Sequence, residues 1–234
     1  MPKATPASAR TTRLERAEAV PAASRRYGGL SADERRAGRR ERLIDAATDC
    51  FGSRGFSATT IEEICAAANV TARHFYEEFD TRESLLRAIY DAITSDLLEK
   101  ISAAIYDTNN ISMHDVVHRG ATAYFGAITS DARKARIVAV EVVGISPAFE
   151  AHRRRSIDAF AAQAARSADR LTAIGITPTI DYGLLSVALI GAGLELTNYW
   201  VLAENRPSVG ALIDLVTAIW TRSLSPDYAE ARTP

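Results

Sequence analysis

Between Thr59 and Leu86 apolar residues recur at helical spacing in three runs divided by turn signals. Ile61, Ile64, Cys65 and Ala68 fall on one face of a short helix. Thr59 and Thr60 are both suited to cap it, because Thr59-x-x-Glu62 and Thr60-x-x-Glu63 each have capping-box spacing. Ala68-Asn69-Val70 reads as a turn, since Asn tolerates the left-handed conformation better than most residues with a Cβ. Thr71 caps a second helix, in which Phe75 and Phe79 pair at i,i+4 towards a core. Arg73, His74 and Glu77 then point outwards, with Ala72 at the helix start, and Asp80-x-x-Glu83 opens the next helix with another capping box.

The same periodicity organises the rest of the chain. Ser31-x-x-Glu34 begins a helix from Ala32 to Ser53 with Leu43, Ile44, Ala47 and Phe51 on its apolar face. Downstream, Leu85, Ala88, Ile89, Ala92, Ile93, Leu97 and Ile101 carry one long helix to about Tyr106, and 107–110 form a loop. Further helices are expected over Ser112–Ser130, Asp131–Val143 and Pro147–Ala173, then from Thr177-Pro178 to about Glu204 and from Ser208 to Leu224. The predicted fold is all-α. Its parts are a basic arm without order over 1–30, a three-helix domain with a helix-turn-helix over 31–80, a helical body over 81–225 and a tail over 226–234.

Composition agrees: 47% of the 234 residues are hydrophobic and only 8 prolines interrupt them. Net charge is −1, yet residues 1–42 carry 11 basic and five acidic side chains, a net +6 on the head and −7 on the remainder. A basic head on an acidic body fits a DNA-binding end joined to a separate regulatory body. Cys50 and Cys65, without metal-ligand spacing, read as reduced buried thiols. The charged stretch from Arg10 to Arg26 is not a secretory signal, and a cytoplasmic protein is expected. The most apolar window, Gly183 to Ala203, contains Glu195 and Asn198 and reads as an interface helix rather than a membrane span.

A helix led by Thr71-Ala72-Arg73-His74 can enter a major groove and present its first residues to base edges, although an internal helical hairpin would have the same spacing. Phe51…Gly55-Phe56…Thr59-Thr60, Ile61-x-x-Ile64-x-x-x-Ala68, Val70-Thr71, Phe75-Tyr76-x-x-Phe79 and Arg82-Glu83-x-Leu85-Leu86 decide between them. In this order and spacing they resemble the DNA-binding domain of the TetR/AcrR transcriptional repressors, over roughly residues 38–90. The family usually has Gly where this chain has Asn69, and often Lys-Gly where it has Ala72-Arg73; the second difference implies a different operator.

The resemblance implies a dimeric repressor of double-stranded operator DNA, released by a small-molecule effector. Thr71, Ala72, Arg73 and His74 would face bases; Thr60, Tyr76 and Arg82, with helix-one arginines such as Arg39 and Arg40, would contact phosphates. Two helices carry apolar faces that a monomer would struggle to cover: Leu184, Ala188, Gly191 and Leu194 on one, Leu212, Val216, Ile219 and Trp220 on the other. They are assigned to a homodimer interface, as in the family. An effector cavity in the body is expected to take an apolar or amphipathic molecule, with Tyr124, Ile128, Val140, Glu141, Phe160 and Asn198 as candidate lining residues.

Other chemistry finds little support. His114 and His118 at i,i+4 lack a third ligand, so no metal or other cofactor is expected. Gly191-x-Gly193 lacks the preceding strand and third glycine of a dinucleotide loop, and no nucleophile–base pairing marks an enzyme. The alternative function is a non-specific or architectural DNA-binding protein without an inducer.

Overall fold

A computed structural model describes residues 31–106, 112–176 and 181–223, and among them every regular element is helical. The expected arm over 1–30, the 107–110 loop, the Thr177-Pro178 helix start and the tail lie outside the described residues. The elements are α1 (Ala32–Arg54), α2 (Ile61–Ala68), α3 (Ala72–Glu78), α4 (Arg82–Ala104), α5 (Met113–Thr129) and α6 (Ala132–Arg136). A π-helical segment (Ile137–Glu141) extends α6, and α7 (Pro147–Ala173), α8 (Tyr182–Leu202) and α9 (Val209–Ser223) follow.

Local capping sets most boundaries. Thr60 accepts from the Glu63 amide while Glu63 reaches back to the Thr60 amide, a reciprocal box that starts α2. The competing Thr59 is fully buried, with its hydroxyl on the Gly55 carbonyl at 2.8 Å. Asn69 ends α2 in the left-handed region (φ 52°, ψ 51°), and Thr71 caps α3. At α4 the box is Thr81 with Ser84 rather than the anticipated Asp80 with Glu83. Ser146 before Pro147 opens α7. Asp181 caps α8, its side chain accepting from the Gly183 amide.

The expected helix over Asp131–Val143 changes type midway. Ile137 and Val142, five residues apart, are both fully buried. They share a face only if the helix widens to i→i+5 bonding, and the Val142 amide does donate to the Ile137 carbonyl at 3.3 Å.

From Gly38 onwards the chain forms one compact unit. Its main hydrophobic cluster joins Leu43, Ala47, Phe51, Ile64, Phe75 and Phe79 to Leu85, Leu86, Ile89 and Tyr90 of α4, then to Phe125, Ile137, Val142 and Phe149. The core therefore does not break where the helix-turn-helix ends. Burying side chains of this size stabilises by about 1.5–3 kcal/mol each, and α4 carries that coupling from one region to the other. The two cysteines are free.

Candidate nucleic-acid interface and ligand cavity

Phe75 anchors α3 in the core, and that fixes which residues face out. Thr71, Ala72, Arg73 and Tyr76 are exposed, and His74 is half-buried. The Arg73 side chain is 87% exposed and pairs with Glu77 one turn on, at 3.2 Å. Thr71 accepts from the His74 amide at 3.3 Å, and its hydroxyl lies 3.1 Å from His74 Nδ1. Four consecutive positions at the N-terminal edge of a short anchored helix thus form an open polar rim, able to meet a groove.

The surrounding arginines brace this rim. Arg40 Nη1 donates to the Glu78 carbonyl at 3.4 Å and its guanidinium lies 4.4 Å from the Phe79 ring centroid, tying α1 to the end of α3. Arg42 Nε donates to the Ala68 carbonyl at 3.2 Å, at the end of α2. Arg82 donates to the Thr59 carbonyl and stacks over Phe56 at 4.2 Å. Helix C-terminal carbonyls carry partial negative charge, so cations placed there are favoured. Arg39 Nε is buried without a hydrogen-bond partner. The Thr60 hydroxyl serves the α2 cap, and Tyr76 stands 58% exposed on α3. The bracing contact of Arg42 has no sequence signature, because its partner is a main-chain carbonyl 26 residues away.

Glu63 closes the α2 cap and is held below the usual carboxylate range, chiefly by the Thr60 amide hydrogen bond. Its other partner, Arg54, lies at 2.7 Å and also reaches Cys50 Sγ at 3.2 Å.

A cavity of about 140 Å³ opens between α4, α5, α7, α8 and α9. Its walls are mostly apolar: Leu97, Leu98, Ile101, Val116, Val117, Phe125, Val138, Phe160, Leu189 and Val216, with Tyr124, Thr94, Gln163 and Ser167 as polar points. Tyr124 and Phe160 of the sequence candidates line it; Ile128, Val140, Glu141 and Asn198 do not. Ile128 is buried in the core, and Asn198 Nδ2 donates to the Ala139 carbonyl at 3.2 Å. Glu141 accepts the Phe56 amide at 2.7 Å and Arg136 Nε at 2.8 Å. The Tyr124 hydroxyl lies 2.9 Å from the Thr197 hydroxyl, and burial pushes its phenol up to about 12.

The anticipated interface helices divide into inner and outer faces. Leu184 is 82% exposed, and Ala188, Gly191 and Glu195 continue its row to Tyr199 and Leu202. On α9 Leu215 and Ile219 are exposed, whereas Leu212 and Val216 are buried. Leu194 is half-buried, and Trp220 lines the cavity. Helix α8 is long and apolar enough to cross a membrane, but Thr197 and Asn198 hydrogen-bond to the body. His114 and His118 stack with centroids 6.0 Å apart. Among the described residues no group of three or more His, Cys, Asp or Glu side chains is arranged to hold a metal.

Residues 43–89 match the family model described as "Bacterial regulatory proteins, tetR family". Over 65 residues the chain is 37% identical to the HTH-type transcriptional repressor KstR2 of Rhodococcus jostii, a match covering 28% of this chain and about a third (32%) of that repressor. A crystal structure of a bacterial regulatory protein in the tetR family from Rhodococcus RHA1 superposes with a TM-score of 0.63 at 25% identity, covering 80% of this chain and 97% of that one. The transcriptional regulator FadR of Bacillus subtilis, solved in complex with stearoyl-CoA, shares the fold with a TM-score of 0.67 at 15% identity over 76% of this chain and 96% of its own.

Proposed function

We propose that the chain, whose residues 43–89 match the tetR family model, is a cytoplasmic, dimeric repressor of that family that binds double-stranded operator DNA and leaves it when a small apolar or amphipathic molecule fills its body. The exposed rim Thr71–His74 on the anchored helix α3 carries this reading. In it, Arg73 takes a guanine edge in a bidentate contact, His74 and Thr71 meet neighbouring bases, and Tyr76 and Thr60 meet phosphates. Arg40 and Arg82 act mainly by fixing the geometry of the helices, and Arg39 adds positive charge beside the backbone.

The effector's class follows from the cavity wall, which is mostly hydrocarbon with a few hydroxyl and amide groups. A long acyl chain or a similar lipid fits that chemistry, and the stearoyl-CoA bound by the B. subtilis relative supports it. The second copy covers the outer rows of α8 and α9, which puts two α3 helices on one duplex. An effector that prefers the released arrangement tenfold shifts the equilibrium by about 1.4 kcal/mol.

The test is binding of the purified protein to DNA upstream of its own gene, at moderate salt with excess competitor DNA. The expected footprint has two related half-sites about one helical turn or a multiple apart. Affinity that is equal on all sequences would refute operator recognition.

A further inference from the structure

The α1–α2 connector positions the helix-turn-helix, and it is gripped from two sides. Arg82, at the start of α4, holds the Thr59 carbonyl and stacks on Phe56. From the other side Glu141 accepts the Phe56 amide at 2.7 Å, across 85 residues of chain. Arg136 orients the carboxylate at 2.8 Å, and the Glu141 side chain is only 10% exposed. The approach requires Gly55 (φ +95°): a Cβ there would lie 3.0 Å from Glu141 Oε2.

Glu141 is the last residue of the π-helical segment, whose Ile137, Val138 and Ala139 are buried in the body. Val138 forms part of the cavity wall, and the Ala139 carbonyl takes the Asn198 amide of α8. One five-residue turn therefore touches the cavity, the outer helix α8 and the connector of the DNA-reading unit. A π-helical turn holds one residue more than an α-helical turn, so a return to α-helical bonding rotates everything beyond it. That rotation would withdraw Glu141 from Phe56, with the slack taken up towards Gly144 (φ +73°).

We propose that Glu141 is the positioning residue for the helix-turn-helix, and that the π-helical segment Ile137–Glu141 is the register switch through which cavity occupancy reaches it. This rests on the repressor reading for its consequence on DNA, but not for the contact itself. Pressure on Val138 from an occupant favours the α-helical register, frees the Phe56 amide and loosens the connector. Sequence periodicity could not have found it, because a wider turn leaves no signature in a 3.6-residue pattern.

The experiment compares amide exchange of the full chain with that of E141A, E141Q and V138F, without any ligand or DNA. In E141A the connector amides over 55–60 are expected to exchange at least tenfold faster, with α7 unchanged. E141Q keeps an acceptor for Phe56 and stays within about threefold of the original chain. V138F crowds the cavity and reproduces the connector effect of E141A. Connector exchange in E141A that is unchanged, or that rises only in step with α7, overturns the positioning role; unchanged connector exchange in V138F overturns the link to the cavity. Affinity for the upstream DNA fragment is measured in parallel, with a tenfold loss expected for E141A. If the original chain shows no sequence preference, the repressor reading fails, while the exchange data still decide the contact.

Discussion

The guanidinium of Arg40 lies 4.4 Å from the ring centroid of Phe79, while its Nη1 donates to the neighbouring Glu78 carbonyl at 3.4 Å. One side chain of α1 thus fixes the end of the helix whose beginning faces outwards. The cation–π contact and the bond to a helix-end carbonyl together are worth about 1–2 kcal/mol at a half-exposed site. Arg40→Ala is expected to lower unfolding free energy by about that amount and to weaken DNA binding at every sequence alike. Arg40→Lys keeps the charge but loses the planar stacking, so it recovers less than half of the stability. Denaturant titration and binding to single-base operator variants check both effects.

Arg73 has the opposite profile. Its side chain is 87% exposed, and its pairing with Glu77 is of the surface i,i+4 kind, worth about 0.3–0.5 kcal/mol. Arg73→Ala should leave stability within about 0.5 kcal/mol of the original and relax preference at one base-pair position by about 1–3 kcal/mol. A phosphate contact would behave otherwise, with uniform weakening and a salt slope lower by about one. Binding across a set of single-base operator variants at two salt concentrations separates the two.

Features decided within a few residues were legible in the chain. Thr71, Asn69 and the Thr60–Glu63 box act through neighbouring amides, so spacing alone located α2, the turn and α3. Where two local solutions competed, a distant residue chose. Thr59 has the same box spacing as Thr60 but is buried, its carbonyl held by Arg82 from 23 positions away. The shift of the α4 cap from Asp80 to Thr81 is a choice between adjacent residues of similar capping power. The cavity was legible only in part, since a void belongs to the gap between helices and not to any one of them. For that reason Tyr124 and Phe160 lie on it, whereas Ile128 points into the core and Asn198 towards Ala139. Glu141 reads from sequence as a cavity-lining candidate because its true partner, the amide of Phe56, carries no sequence signal.

Tyr124 gives a pH-dependent prediction. Burial pushes its phenol from the ordinary value of 10 up to about 12, because the phenolate would lose hydration inside the body; the Thr197 hydrogen bond acts in the opposite direction. A raised folded-state value means that its contribution is fully present below pH 10 and is lost as the pH rises from 10 towards 12. Stability should therefore fall between these limits, where the phenol ionises in the unfolded chain while the folded one stays protonated until about pH 12. In Tyr124→Phe that part of the alkaline loss should disappear, at the expense of the Thr197 contact, worth about 0.5–1.5 kcal/mol at neutral pH. Urea unfolding at a series of alkaline pH values reads both.

Leu184 and Leu212 belong to the same predicted apolar surface, but the structure places them on opposite sides of the bundle wall: Leu184 is 82% exposed and Leu212 only 3%. Their substitutions should consequently fail in different ways. A charged pair, Leu184→Glu with Tyr199→Glu, alters only the outer row of α8, so the monomer fold should persist with its melting temperature nearly unchanged at low concentration. Sedimentation should then report a monomer for the variant against the proposed dimer for the original chain, and operator binding should drop to that of a single half-site. Leu212→Ala instead leaves a hole in the core and should cost about 2–5 kcal/mol of stability, with the subunit ratio retained while the chain is folded. Dissociation caused by Leu212→Ala with little loss of stability, or unfolding caused by the outer pair, would show that the second copy docks elsewhere than on the outer faces of α8 and α9.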